Sequence, residues 1–338
     1  MKGRLVALDH WEGREAAALM VDGRLEDLLV DPVDAPRLGT IFAARVERPM
    51  KGLGGAMVTW DGGEGFLRRA KGLTPGERLL VQVSGFAEPG KAPPVTTRLI
   101  FKSRYAIVTP EAGGLNVSRA IRDEDRRDAL MGLAVAAMEG TPDRLGLILR
   151  SAAADADDDD ILEDIAAMRS ACEDATAQGA DGLVLEGDGP HLNAWKEWTA
   201  PAQIETQAGS FAETGVLEAM DTLFSPVVPL GPHRMIIEPT RALTAVDVDT
   251  GRDIGSASAL KANLAAAREL PRQLRLRGVG GQVTVDFAPL SKRDRAQVET
   301  ALRAGFRADS VETEVIGWTP LGHMELKRKR ERAALTRG

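Results

Sequence analysis

The sequence has little of what usually marks a site. It holds one cysteine, Cys172, in 338 residues, which excludes an internal disulfide framework and any zinc centre built from two pairs of cysteines. Four histidines, His10, His191, His233 and His323, are scattered without ligand spacing, so no Ser-His-Asp or Cys-His arrangement can be argued. No apolar run approaches the roughly 20 residues needed to span a bilayer; the richest, residues 130–138, is far too short. Residues 1–11 lack the apolar core of a signal peptide, and a soluble protein of the reducing cytoplasm, with no membrane partner, is expected. Gly278-Val-Gly280-Gly281 precedes a strand instead of opening a helix, which argues against a dinucleotide fingerprint. The absence of any phosphate loop argues equally against a nucleotide-binding metabolic enzyme.

What is present suits a folded chain of about two domains. Hydrophobic residues make up 43% and charged residues 28%, outside the range of disordered chains. The 43 Lys+Arg against 50 Asp+Glu give a net charge of −7, which rules out a uniformly basic nucleic-acid coat. That average conceals an asymmetry. Residues 241–338 carry 18 Lys+Arg and 12 Asp+Glu, a local +6, leaving −13 on the first 240. A basic final third on an acidic body points to local contact with a polyanion. Its densest run, Lys327-Arg328-Lys329-Arg330-Glu331-Arg332, reads by itself as a solvated tail.

Residues 3–9 and 17–22 read as a hairpin, and 39–101 as several short strands with glycine turns, the texture of a small OB-type barrel. Residues 105–109 and 145–149 read as strands around a helix at 123–138. The acidic run Asp155 to Asp160 leads into a helix whose Ile161, Ile165, Met168 and Cys172 fall on one stripe. Carboxylates favour a helix N-terminus, so capping is preferred to calcium binding, and Cys172 is read as a core residue. A helix is expected at 213–223. From Met235 on, strands (235–237, 243–248, 283–287, 313–317) alternate with helices (257–277, 292–303), which argues for a layered α/β domain.

Two strand ends carry the chemistry. In Leu243-Thr-Ala-Val-Asp247-Val-Asp249 and Val283-Thr-Val-Asp286-Phe287, alternation puts Asp247 and Asp249 on one face and Asp286 opposite Val285 and Phe287. A lone strand-end aspartate more often caps a turn. The pair, if the strands are neighbours, could converge on one hard cation, and Mg²⁺ takes one or two carboxylates while keeping several waters. The intervening helix sets Leu260, Leu264, Leu270 and Leu274 on a buried stripe and Arg268, Arg272 and Arg275 on another face, where a row of guanidinium groups suits a phosphate backbone. Pro271 predicts a kink or break in it.

These segments resemble the bacterial ribonuclease E/G endoribonucleases. The resemblance is carried by 240–251, by 263–281 (Asn263-Leu-Ala-Ala-Ala-Arg-Glu-Leu-Pro-Arg-Gln-Leu-Arg-Leu-Arg-Gly-Val-Gly-Gly281) and by Val285-Asp286-Phe287. Weaker matches are Gly39-Thr-Ile-Phe, Gly65-Phe66-Leu67, Ser118-Arg119, Gly146 to Ser151, and the basic motif Leu321 to Arg330. The resemblance implies an α+β multidomain fold: residues 1–36 and 189–232 as two parts of a shortened RNase H-like subdomain, 37–103 as an OB-type RNA-binding barrel, 104–188 as a 5'-sensor-like region, and 233–338 as a DNase I-like catalytic subdomain. It implies Mg²⁺ held by Asp247 and Asp286, with Asp249 at the place of a catalytic-site Asn. Phe66 would stack on a base and Lys91 would contact phosphate. Arg150 and Ser151 would read a 5'-monophosphate. The implied activity is cleavage of single-stranded RNA to 5'-phosphate and 3'-hydroxyl products in RNA processing or decay; the alternative is a non-catalytic RNA-binding or regulatory relative. The sequence departs from the family at several points. The zinc-linking Cys pair is missing, so no zinc-linked dimer is expected. Arg241, Pro289, Met57 and the acidic Asp309-Ser-Val-Glu312 replace other residue types, which predicts a weaker grip on RNA.

Overall fold

The computed structural model describes every residue except 1, 2, 51, 53, 69–71, 89, 178, 180, 253, 254 and 338. The chain divides into two compact units, one made of Met1–Pro32 with Ala202–Gly338 and the other of Val33–Pro201. Among the described residues, no helix is long and apolar enough to cross a membrane.

The discontinuous unit opens with strands β1 (Arg4–Trp11), β2 (Arg14–Val21) and β3 (Arg24–Val30), an antiparallel meander. Both of its turns place two residues at positive φ, Glu12-Gly13 and Asp22-Gly23, as two-residue hairpin turns that follow the strand twist require. The first two strands are the expected hairpin. The third is additional: Glu26 and Asp27 break its apolar alternation in the sequence, yet Asp27 is buried.

In the second unit, β4 (Ile41–Met50), β5 (Gly55–Trp60), β6 (Gly63–Arg68), β7 (Arg78–Val83) and β8 (Pro94–Thr96) form the order β4-β5-β6-β8-β7, closed by pairing of β4 with β7. This closed five-stranded barrel buries Phe42, Val46, Val58, Leu67, Val81 and Val95. Trp60 stacks on Phe42 with centroids 4.2 Å apart. A four-stranded sheet follows from β9 (Phe101–Lys102), β10 (Ala106–Thr109), β11 (Gly114–Val117) and β12 (Gly146–Leu149). It packs on α1 (Glu124–Ala137) and α2 (Asp158–Ala177) through Leu130, Leu147, Leu149, Ile161 and Ile165. Asp123 caps α1, its side chain accepting from the Arg126 N–H, and Asp158, Asp159 and Asp160 lie in the first turn of α2. Cys172 is buried on the predicted stripe, and burial pushes its thiol above the usual value. Strand β13 (Gly182–Leu185) adds to β4 of the barrel sheet. Helix α3 (Pro190–Glu197) belongs to this unit, where its C-terminal end binds Arg104 and Arg150. The boundary between the two units falls after Pro201.

The chain then returns to the first unit. Strand β14 (Gln203–Glu205) pairs parallel with β1, and α4 (Ser210–Glu213) and α5 (Val216–Leu223) cover that sheet through Phe211, Val216 and Met220. A six-stranded sheet follows: β15 (Val227–Leu230), β16 (His233–Pro239), β17 (Thr244–Asp249), α6 (Ser256–Leu276), β18 (Gly281–Asp286), α7 (Lys292–Ala308), β19 (Thr313–Trp318) and β20 (Met324–Arg328), in the order β15-β16-β17-β18-β20-β19. Only β17 and β18 are parallel within it, joined through α6. Val246, Val248, Val283, Val285, Met324 and Leu326 face the two helices, and the opposite face stays open.

The structure narrows one expectation and corrects another. Helix α6 is not broken at Pro271 but runs on to Leu276. The proline leaves the Ala267 carbonyl without an i+4 donor, and α7 covers the spot with a glycine: a Cβ on Gly305 would stand 3.2 Å from both Ala267 O and Pro271 Cγ. The basic run is not a solvated tail at its start, because Met324–Arg328 is an inner strand and Arg328 is 3% exposed. Beyond it the chain crosses Gly278, whose φ is +63° and whose added Cβ would lie 1.9 Å from Ala333 O. Substituting Gly278→Ala combines a left-handed backbone with a backbone clash and is expected to cost roughly 1–3 kcal/mol. A lowered urea midpoint at unchanged slope is the check.

Candidate active site

The parallel register of β17 and β18 runs Thr244↔Val283, Ala245↔Thr284, Val246↔Val285, Asp247↔Asp286. Asp247 and Asp286 are therefore direct neighbours on adjacent strands, both exposed on the open face, while Val246 and Val285 anchor the same strands in the core. Partial burial, then the charges of Asp286 and Asp249, hold the Asp247 carboxyl above the usual range. Two carboxylates that repel across adjacent strands relax when a cation sits between them. Among the described residues, no group of three or more His, Cys, Asp or Glu side chains could hold a metal ion. The donor set here is a carboxylate pair, which fits Mg²⁺ and its retained waters.

Asp249 stands apart from that pair. Its Oδ2 accepts from Arg234 Nε at 2.8 Å and its Oδ1 from the Gly251 N–H at 2.7 Å. These bonds, that from Gly251 first, hold its carboxyl below the usual range. On the other side of Asp286 lies His323. Val285 pairs with Met324, so the preceding residue comes alongside Asp286, and His323 Nε2 is 3.8 Å from Asp286 Oδ1. Neither Arg234 nor His323 carried a spacing signal, since each reaches the site only through strand register.

The arginines of α6 divide. Arg268 is exposed. Arg272 donates to the Leu25 carbonyl and to Glu269. Arg275, 8% exposed, is enclosed by Glu26, Asp27 and Asp309; burial opposes its charge, but Asp27 and Asp309 raise its pKa beyond the ordinary value. The expected row of three phosphate-facing arginines therefore reduces to Arg268. The helix buries a second face against β3, which a single-stripe reading leaves out.

In the other unit, Phe66 is half-buried on the barrel, cross-strand from Met57. Its ring lies against Gly55, where an added Cβ would be 2.6 Å from Phe66 Cζ. Lys91 is exposed and paired with Glu88. Arg150 is 17% exposed at its side chain and donates through Nη2 to Glu197 at 2.9 Å. Its Nη1 donates to the carbonyls of Ser103, Arg104 and Lys196. Ser151 is exposed at the start of the 3-10 turn Ser151–Ala154. Glu197, which also binds Lys102 Nζ at 2.7 Å, was not indicated by the sequence because its partners lie far away along the chain.

Fold and site together define a mixed α+β protein that carries a closed five-stranded barrel in one unit and a facing carboxylate pair on the open sheet of the other. The chain belongs to the ribonuclease E/G family, whose model matches residues 101–202 and 193–331. It is similar to ribonuclease E of Nostoc sp. (strain PCC 7120), 28% identical over 382 residues that cover 95% of this chain and 55% of that protein. Ribonuclease E of Synechocystis sp. (strain PCC 6803) is also 28% identical, with 95% of this chain and 56% of that one covered. Ribonuclease G of Escherichia coli (strain K12) is 26% identical over 77% of this chain and 61% of its own. The chain spans little more than half the length of the ribonuclease E relatives it matches.

Proposed function

We propose that this chain is a Mg²⁺-dependent endoribonuclease that cuts single-stranded RNA into products with 5'-phosphate and 3'-hydroxyl ends, and that it works in cytoplasmic RNA processing or decay. The observation that carries this reading is the register that sets Asp247 beside Asp286 on an open sheet face. These two side chains would hold the ion, which when bound lowers the pKa of a coordinated water and offsets charge on phosphate oxygens. The protein's own part is to hold the two carboxylates side by side at the ends of packed strands. Asp249 steadies the neighbouring strand end through Arg234 and Gly251. Arg268 offers an exposed guanidinium for the RNA backbone, and Phe66 with Lys91 a stacking face and a cation on the barrel. Family membership supports assigning the barrel as OB-type, the six-stranded sheet as DNase I-like, the sheet of β1 to β3 with β14 as the shortened RNase H-like part, and the region around Arg150 as sensor-like.

The test is incubation of an A/U-rich single-stranded RNA with Mg²⁺ or EDTA, followed by ligation of the products. Cuts that need Mg²⁺ and leave ligatable 5'-phosphates support the reading. Binding that falls steeply with salt but never leads to cleavage replaces it with a non-catalytic RNA-binding relative.

A further inference from the structure

We propose that Leu321 is a substrate-contacting residue that packs against the base of the nucleotide on the Asp286 side of the carboxylate pair, while Lys292 and Arg295 take that nucleotide's phosphate. This rests on the RNA-directed reading above. Among the large apolar side chains exposed in the described residues, Leu321 stands out at 86%, against 60% for the next, Ile204. A single exposed leucine needs no explanation by itself; the place and rigidity of this one do.

Leu321 sits on the turn from β19 to β20, which is tied at three points. The Thr319 N–H donates to the His323 carbonyl at 2.7 Å, the Gly322 N–H to the Thr319 carbonyl at 2.9 Å, and the His323 N–H to Thr319 Oγ1 at 3.1 Å. Pro320 fixes one more backbone angle, and Gly322 supplies a φ of +95°. Register sets this turn at the carboxyl end of β18. Val285 pairs with Met324, and His323, two residues from Leu321, lies 3.8 Å from Asp286. Two residues span at most about 7 Å, which keeps Leu321 within reach of a nucleotide whose phosphate is at the carboxylates. Helix α7 supplies the charge. An added Cβ on Gly322 would stand 3.0 Å from Arg295 Nη2, and Arg295 lies over the Trp318 ring at 5.0 Å. Lys292, exposed and three residues earlier, shares that helical face. Neither cation has a carboxylate partner among the described residues. The carboxylate of their turn, Asp294, accepts from the Ser291 hydroxyl at 2.8 Å. Cations in a first turn oppose the helix dipole, and a bound phosphate offsets that cost. An apolar contact is indifferent to which base it meets but needs the base unstacked, so it favours single strands.

The experiment measures binding in EDTA of a fluorescent A/U-rich single-stranded RNA, and of an abasic sugar-phosphate strand of the same length. The proteins are the full chain, Leu321→Ala, Leu321→Met and Lys292→Gln. Leu321→Ala is expected to bind the RNA about five- to tenfold more weakly, as the lost apolar contact allows, with its salt dependence and its hold on the abasic strand unchanged. Leu321→Met, which keeps the apolar length, should stay within about twofold of wild type. Lys292→Gln should weaken both strands and lower the salt slope by about one. All three variants should melt with wild type, because both positions are exposed. RNA binding that Leu321→Ala leaves within about twofold overturns the proposal, as does an equal loss on the abasic strand or an unchanged salt slope in Lys292→Gln. If wild type binds neither strand, the RNA-directed reading itself fails, and this proposal falls with it.

Discussion

Substituting Asp309→Asn is expected to destabilise the discontinuous unit by about 3–5 kcal/mol, the cost of breaking a buried ion pair from one side. Asp309 follows α7, and its side chain is fully enclosed between Arg275 of α6 and Arg328 of β20. Arg275 continues the network to Asp27 at 3.2 Å, and Arg332 reaches the other oxygen of Asp27 at 3.0 Å. The network therefore ties β3, near the start of the chain, to α6, to the end of α7 and to β20. With Asn at 309, Arg328 keeps the Val279 carbonyl and the Thr313 hydroxyl as acceptors but loses its partner charge in an interior with little water. Chemical denaturation of the full chain, followed by a probe in this unit, reads the effect. A loss under 1 kcal/mol would mean that the cluster is hydrated and contributes little. The sequence suggests a different role for this residue, a negative charge that weakens the grip on RNA; the structure turns it inward.

Asp247→Asn and Asp286→Asn are each expected to lower kcat for RNA cleavage by about 1000-fold or more, the loss of several kcal/mol of metal-supplied charge stabilisation. Neither should unfold the protein. Asp247 holds its proton more tightly in the fold than an unfolded chain would, owing to partial burial and to Asp286 and Asp249. Its ionised form therefore opposes folding at neutral pH, and that opposition fades as the pH falls through the raised pKa. Asn at 247 removes it, so a melting temperature equal to or above wild type is expected alongside the lost activity. Because the ion must displace that proton, Mg²⁺ binding is expected to weaken with acid sooner than at an ordinary aspartate, and cleavage at limiting Mg²⁺ with it. Single-turnover rates across pH, with melting curves of each variant, check both parts. Variants that cut at the wild-type rate would remove both carboxylates from the chemistry.

How much of this was legible in the sequence follows from which forces act locally. The strands of Asp247 and Asp286 could be read because alternation and β-branched residues are local signals, and the register then delivered the facing pair. The start of α1 could be read because Asp123 stands at its N-cap. Strand β3 was hidden because Asp27 sits where an apolar residue is expected, and β20 because its basic composition reads as solvent-exposed. Both become interior only through charge partners on other elements, Asp27 with Arg275 of α6 and Arg328 with Asp309 at the end of α7. The same reason concealed Glu197, His323 and the divided roles of Arg268, Arg272 and Arg275. A helical stripe shows one buried face, and only tertiary packing reveals a second.

The most direct test of the central claim reads cation binding at the facing carboxylates without any RNA. Mn²⁺, which shares the oxygen preference of Mg²⁺, gives a free-ion electron paramagnetic resonance signal that weakens on binding. Titrating wild type, Asp247→Asn and Asp286→Asn in parallel should show one tighter site in wild type, displaced by Mg²⁺ and missing from both variants. Identical binding curves for all three proteins would contradict the account.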